Sequence, residues 1–142
     1  VRTAWLYGAT GKNFLKTMLR LAVQNPEKEI RVVNDQFGSP TGSHTLARQI
    51  AAVVDARVTG LFHATSEGSC SWSELAESFL SMMGVPHRVV PCSSDEYPTP
   101  AKRPANSILE NAALKKNNLN VSKHWKTELE EFVLAYREEL LR

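Results

Sequence analysis

The segment Tyr97-Pro98-Thr99-Pro100-Ala101-Lys102-Arg103-Pro104-Ala105-Asn106-Ser107 constrains the fold more than any other part of the chain, because it holds three of the seven prolines. Proline fixes φ and removes a backbone donor, so this stretch is excluded from helix interiors and central strands. It must run as a stiff connection. It then offers cations, an amide and a hydroxyl in quick succession at Lys102, Arg103, Asn106 and Ser107. From the residues alone two readings stand side by side: a structural crossover, or a stiffened loop that holds an anion.

Around this segment, strand-like and helix-like runs alternate. Val1 to Tyr7 reads as a strand. Phe14, Met18, Leu19, Leu21 and Ala22 recur at helical spacing and predict a helix from about Asn13 to Gln24, ending before Pro26. Glu29 to Val33 reads as a short strand, and Leu46, Ile50, Val53 and Val54 mark a helix running to about Ala56. Gly60 to Ala64 reads as another strand. Ser71 and Glu74 have the spacing of a capping box, opening a helix that runs to Met83 and stops at Gly84. His87 to Pro91 is strand-like, and Ser107 to Lys116 a short helix or turn. Trp125 to Leu141 is a terminal helix with Leu129, Phe132, Val133 and Tyr136 on its buried face. The alternation predicts an α/β fold.

With 142 residues and 42% hydrophobic content, the chain is large enough for one domain with a core. A net charge of +2 and no Lys/Arg run longer than two do not favour a nucleic acid partner. Cys70 and Cys92 lack partners at metal-ligand spacing and fit a reduced compartment without a zinc site. His44, His63, His87 and His124 are scattered and read as structural or surface residues. No apolar run reaches membrane-spanning length. A cytoplasmic protein with no membrane partner is the expectation.

Five stretches together resemble one family. The YPTP-to-Ser107 segment is similar to the YPTPAxRPxNS segment of dTDP-4-dehydrorhamnose reductases, a branch of the extended short-chain dehydrogenases/reductases. Arg2-Thr3-Ala4-Trp5-Leu6-Tyr7-Gly8 resembles the family's RTSWVYG strand, and Lys12-Asn13-Phe14-Leu15-Lys16-Thr17-Met18-Leu19-Arg20 its xNFVKTMLR helix. Asp35-Gln36-Phe37-Gly38-Ser39-Pro40-Thr41 resembles its DQxGxPT loop, and Ser69-Cys70-Ser71-Trp72-Ser73-Glu74-Leu75-Ala76 its SWYEFA helix start. The resemblance implies the C-terminal, substrate-binding portion of a Rossmann-type fold, a small mixed sheet with flanking helices spanning residues 1–142 as a single unit.

The family's cofactor half carries a Gly-rich turn and a Tyr-x-x-x-Lys pair. Tyr7, Tyr97 and Tyr136 each lack a Lys four residues on. Gly8-Ala9-Thr10-Gly11 has only two of the glycines of a dinucleotide fingerprint and reads as a loop-to-helix turn. The chain opens on Val1, directly on a strand-like run. A dinucleotide-binding half of about 150 residues is therefore expected ahead of it in an intact enzyme. The resemblance implies NADPH or NADH held by that half, leaves Mg2+ dependence open, and predicts no catalytic, cofactor or metal residue in this chain.

What remains is the grip on a dTDP-linked deoxy sugar. Carried across by motif, Trp5 is the candidate wall beside the reacting sugar, its alternative being a core Trp. Lys12 and Asn13 lie at a predicted helix N-terminus, where an anion is favoured, although Asn13 also suits a cap. Arg103 is the candidate for the pyrophosphate, because its planar fork holds two oxygens at once. Its alternative is a salt bridge to Asp35 or another acid. Gln36 and Asp35 frame the base end or hold the YPTP loop, while Thr41 is a ligand or cap residue. Asn106 and Ser107 contact the ligand or begin the next helix. The Gly42-Ser43-His44-Thr45 turn departs from relatives that carry an Asp there. Trp72 reads as packing inside a capping box.

The implied reaction is reduction of the C4 ketone of dTDP-4-dehydro-L-rhamnose to give dTDP-L-rhamnose, which this portion alone would not perform. The alternatives are a non-catalytic binding or regulatory module, or a reductase of another nucleotide-activated 4-keto-deoxyhexose. A homodimer through an exposed strand edge is a further expectation.

Overall fold

A computed structural model describes residues 1–97 and 99–142. Pro98, within the proline-rich segment, lies outside the described residues. The element order is β1 (Leu6–Tyr7), α1 (Phe14–Gln24), β2 (Ile30–Val33), β3 (Phe37–Gly38), β4 (Thr41–Gly42), α2 (Ser43–Asp55), β5 (Cys70–Ser71), α3 (Trp72–Met83), β6 (Val89–Cys92), a 3-10 turn (Ser94–Glu96), α4 (Ala112–Lys116) and α5 (Trp125–Leu140).

The strands form short two-stranded ladders. β1 runs parallel to β4, β2 parallel to β6, and β3 antiparallel to β5. Helices carry the mass. α1 turns Leu15, Met18, Leu19 and Ala22 inward against Leu75, Ala76, Phe79, Leu80 and Met83 of α3 and Leu129 and Val133 of α5. Phe79, Leu80 and Met83 are fully buried. Removing a side chain such as Phe79 would leave a cavity worth about 3–5 kcal/mol. A smaller core joins Val53 of α2, Phe62, Ala64 and Leu114 of α4.

Helix limits follow the sequence signals. Asn13 caps α1 by accepting the Lys16 N–H, the Ser71/Glu74 capping box opens α3, and Gly84 closes it in the left-handed region at φ 65°. Other expectations are corrected. The Val1–Tyr7 strand is confined to β1 and a single bridge between Arg2 and His63, because Trp5 adopts φ 49° and turns the chain. Gly60–Ala64 contributes only that same bridge, made by the Arg2 N–H to Phe62 O and the Ala64 N–H to Arg2 O, both 2.8 Å. The helix expected from Ser107 starts at Ala112. Residues 105–107 instead lie extended along Phe37, whose N–H donates to Ala105 O and whose carbonyl accepts the Ser107 N–H.

On α2 the buried positions are Thr45, Gln49 and Val53, while Ile50 and Val54 are exposed. Gln49 is buried because its amide closes a backbone gap: Nε2 donates to Leu119 O (2.8 Å) and Oε1 accepts the Val121 N–H (3.0 Å). No helix among the described residues is long and apolar enough to cross a membrane.

Candidate functional site

Trp5 is the fixed point. Its indole lies flat on Trp72, with ring centroids 3.6 Å apart and planes 9° from parallel. Phe14 packs on Trp72 at 4.6 Å, tilted 55°. Gly38 of β3 backs onto the pyrrole part of Trp5, where a Cβ would fall on Cε2, Nε1 and Cδ2. Only glycine fits there. The Trp5 Nε1–H donates to Ser107 Oγ at 2.9 Å, and that hydroxyl donates on to Phe37 O at 3.1 Å. A bulky residue with φ 49° is held in a sparsely populated backbone region at a cost of ~1–3 kcal/mol, which the surrounding contacts must offset.

Of three hollows of about 430, 380 and 350 Å³, the last two adjoin this stack, and Gln36 and Arg103 line all three. The first carries Asp35, Ser94 and Lys102. The second is largely apolar, with Phe14, Met18, Val32, Trp72 and Tyr97, and Arg31 at its margin. The third holds Trp5, Trp72 and Ser107. Sizes of this order suit a nucleotide-sized ligand.

The charges are arranged unevenly. Asp35 accepts from the Ser94 N–H (2.9 Å) and the Ser94 hydroxyl (2.8 Å), which hold its carboxyl below the usual carboxylate range. Arg31 pairs with Glu96 at 2.7 Å. Among the described residues, Arg103 and Lys102 make no ion pair, so the alternative of an Arg103–Asp35 bridge is not what the structure holds. The Arg103 fork is exposed and lines all three hollows.

The structure therefore brings Trp5, Gln36 and Arg103 together, with Asp35 and Ser107 beside them, and places Lys12, Asn13, Thr41 and Asn106 elsewhere. Lys12 and Asn13 line a separate hollow of about 760 Å³ beside the end of α5. Asn13 Oδ1 accepts the Lys16 N–H and its Nδ2 donates to Gly8 O at 2.8 Å. Thr41 is buried, its hydroxyl donating to Ser39 O (3.2 Å) and accepting the Ser66 N–H (3.3 Å). Asn106 Oδ1 accepts the Ile108 N–H at 2.9 Å in a local turn, and the residue lines none of the three hollows. Trp72, which the sequence suggests as packing, lines two of them. A Trp one residue inside a capping box carries no local signal of that placement.

The turn from β1 into α1 is closed by its own side chains: Lys16 Nζ donates to Ala9 O at 2.8 Å and Asn13 to Gly8 O. It does not fit a pyrophosphate. Among the described residues there is also no cluster of three or more His, Cys, Asp or Glu able to hold a metal ion. Burial, with the Glu74 carboxylate, pushes the Cys70 thiol up to about 12, far from a reactive thiolate.

A family model described as the RmlD substrate binding domain matches residues 1–138. A dTDP-4-dehydrorhamnose reductase of Burkholderia thailandensis is 41% identical over 131 residues, covering 80% of this chain and 43% of its own. A dTDP-4-keto-6-deoxy-D-glucose reductase of Streptomyces niveus is 40% identical, covering 91% of this chain and 44% of its own. The crystal structure of a dTDP-4-dehydrorhamnose reductase of Bacillus anthracis in complex with NADP superposes with a TM-score of 0.87 at 38% identity, covering 94% of this chain and 46% of its own. The chain spans less than half the length of these relatives.

Proposed function

We propose a function from the premise that this chain belongs to the family of RmlD substrate binding domains: it is the part of a dTDP-4-dehydrorhamnose reductase that grips the nucleotide sugar. The whole of residues 1–142 serves as that one unit. The observation that carries this reading is the meeting of Trp5, Gln36 and Arg103, distant in sequence, at adjoining hollows. Arg103 lies at their junction and takes the pyrophosphate through its planar fork. The apolar hollow beside Met18, Val32 and Tyr97 takes the pyrimidine nucleoside, and the hollow at Trp5 and Ser107 takes the sugar. Trp5 walls the sugar and excludes water beside it. NADPH or NADH, bound by a further portion of the enzyme, supplies the hydride for the C4 ketone, with a Tyr-x-x-x-Lys pair of that portion as proton donor. Asn13, Thr41 and Asn106 support the site through the fold rather than by touching ligand, and Lys12 stands exposed beside the separate hollow at the end of α5. The enzyme works in the cytoplasm.

The test is calorimetric titration of the chain with dTDP-L-rhamnose. Arg103→Ala is expected to weaken binding by about 30-fold, the value of a charge-assisted hydrogen bond near 2 kcal/mol. Arg103→Lys should recover part of it. Unchanged affinity in Arg103→Ala overturns the assignment. The Streptomyces niveus relative favours a second reading, in which the sugar is a dTDP-4-keto-6-deoxy-D-glucose. Competition between the two activated sugars in the same titration separates them.

A further inference from the structure

The geometry points to Trp72 as a positioning residue for the sugar wall: stacked on Trp5, it sets the plane of that ring, and although it also lines the hollow it acts on the sugar chiefly through Trp5. This deepens the nucleotide-sugar reading above and rests on it.

The chain of support can be followed atom by atom. Trp72 is the first residue of α3, and the capping box fixes that turn, the Ser71 N–H donating to Glu74 Oε2 at 2.7 Å and the Glu74 N–H to Ser71 Oγ at 3.2 Å. α3 is anchored by Leu75 and Phe79 in the core, so its first turn cannot drift. Phe14, at the start of α1, packs on Trp72 and ties it to a second helix. Trp72 then presents a flat face to Trp5 at 3.6 Å and 9°.

Trp5 needs such a partner. At φ 49° its backbone is in a region that bulky residues avoid, so its conformation persists only while neighbours determine it. Gly38 backs the ring on one side and Ser107 fixes the Nε1–H. The stacked face of Trp72 completes the clamp that holds the ring plane. With Trp72 on one face and Gly38 against the pyrrole, Trp5 meets the hollow it shares with Arg103 and Ser107 along its ring edge. A ring edge is a narrow contact, and a small tilt would move it away from a bound sugar. Positioning within about half an ångström is what supporting residues of this kind provide.

The experiment is a double-mutant cycle on the full chain, read by calorimetry with dTDP-L-rhamnose and by acrylamide quenching of indole emission. Trp72→Leu is expected to weaken binding about tenfold. Trp5→Ala should weaken it at least as much, and the double variant should be no weaker than Trp5→Ala alone, because Trp72 acts through Trp5. Trp72→Phe, which keeps a flat face, should restore affinity to within about threefold of the parent. Compared with Trp72→Phe, in which Trp5 and Trp125 are likewise the two remaining indoles, the emission of Trp5 in Trp72→Leu should be markedly more quenchable, with Trp125 a constant background because it is buried. Trp72→Phe should leave it protected.

Additive losses in the cycle would mean that Trp72 touches the ligand directly, and the positioning role falls. Retained affinity in Trp72→Leu overturns it as well, while leaving the nucleotide-sugar reading intact. If the parent chain binds neither dTDP-L-rhamnose nor dTDP, the functional reading fails, and quenching alone decides: unchanged protection of Trp5 in Trp72→Leu then rejects the positioning role. Should Trp72→Leu not fold, Phe14→Leu removes the brace behind Trp72 and is expected to raise the quenching of Trp5 to a smaller extent.

Discussion

The aromatic stack and the proline-rich loop border the same hollow, yet they are held in opposite ways. Trp5, Trp72 and Phe14 are braced by two helices, a glycine contact and a side-chain hydrogen bond. Lys102, Arg103 and Pro104 are exposed, and the two cations have no ion-pair partner among the described residues. The loop is tied to the fold at Ala105, whose carbonyl accepts the Phe37 N–H at 2.8 Å, while Thr99 Oγ1 donates to Ala101 O at 2.7 Å within the loop. A ring that must present an edge to a sugar has to be rigid before the ligand arrives. An arginine that captures phosphate does not, since long-range electrostatic attraction acts before any contact forms. One region supplies orientation and the other supplies capture.

Gly38→Ala should break the braced side most severely. Its Cβ would overlap the Trp5 ring, and neither β3 nor the stacked Trp72 leaves the indole room to retreat. Overpacking of this kind costs ~1–3 kcal/mol. Thermal unfolding should show a fall of roughly 2–4 °C for each kcal/mol lost. The same variant should lose affinity for the activated sugar while binding of free pyrophosphate at Arg103 stays near the parent level. A variant with unaltered stability and sugar binding would show that the Trp5–Gly38 contact is slack.

Much of this was legible in the sequence, and the parts that were not have physical reasons. Helix limits at Asn13, Ser71 and Gly84 are chemical signals: caps and a left-handed stop residue act within a single turn. Trp5 broke the Val1–Tyr7 strand because its φ is imposed by distant neighbours, and no local pattern reports Trp72 and Gly38 closing around it. Gln49 took the place expected for Ile50 because backbone groups at Leu119 and Val121 needed partners. Of the site, Trp5, Gln36 and Arg103 converge, whereas Asn13 and Thr41 spend their polar atoms on the backbone. Small polar residues at turns serve either purpose with the same chemistry, so motif matching cannot separate them.

Ser71→Ala probes the brace one step further back. The serine hydroxyl accepts the Glu74 N–H, and its loss should cost about 1 kcal/mol. The frayed first turn carries Trp72, so near-ultraviolet circular dichroism from the stacked indoles should weaken before the far-ultraviolet helix signal changes. Loss of both signals in parallel would mean that the cap supports the whole fold and not the stack in particular.

The smallest effect is expected from pH, and it should separate the two regions by sign. On the braced side, His87 links the end of α3 to the approach of β6: Nδ1 lies 2.8 Å from Val85 O and Nε2 3.2 Å from Glu77 Oε1. Burial alone would lower its pKa, but the Val85 carbonyl and the Glu77 carboxylate outweigh it and leave the group raised. A raised value means the folded state holds the proton more tightly than the unfolded chain. That stabilisation is complete below the ordinary histidine range and disappears as pH climbs through the raised value. On the loop side, Asp35 is lowered by Ser94, so its contribution is present above the ordinary carboxylate range and is lost as pH falls through the lowered value. Melting curves of the parent, His87→Gln and Asp35→Asn from acid to mildly alkaline pH test this. His87→Gln should flatten only the neutral-to-alkaline limb and Asp35→Asn only the acid limb. If either substitution flattens both limbs, the stack and the loop are a single cooperative unit, and the division between orientation and capture does not reflect how they are held.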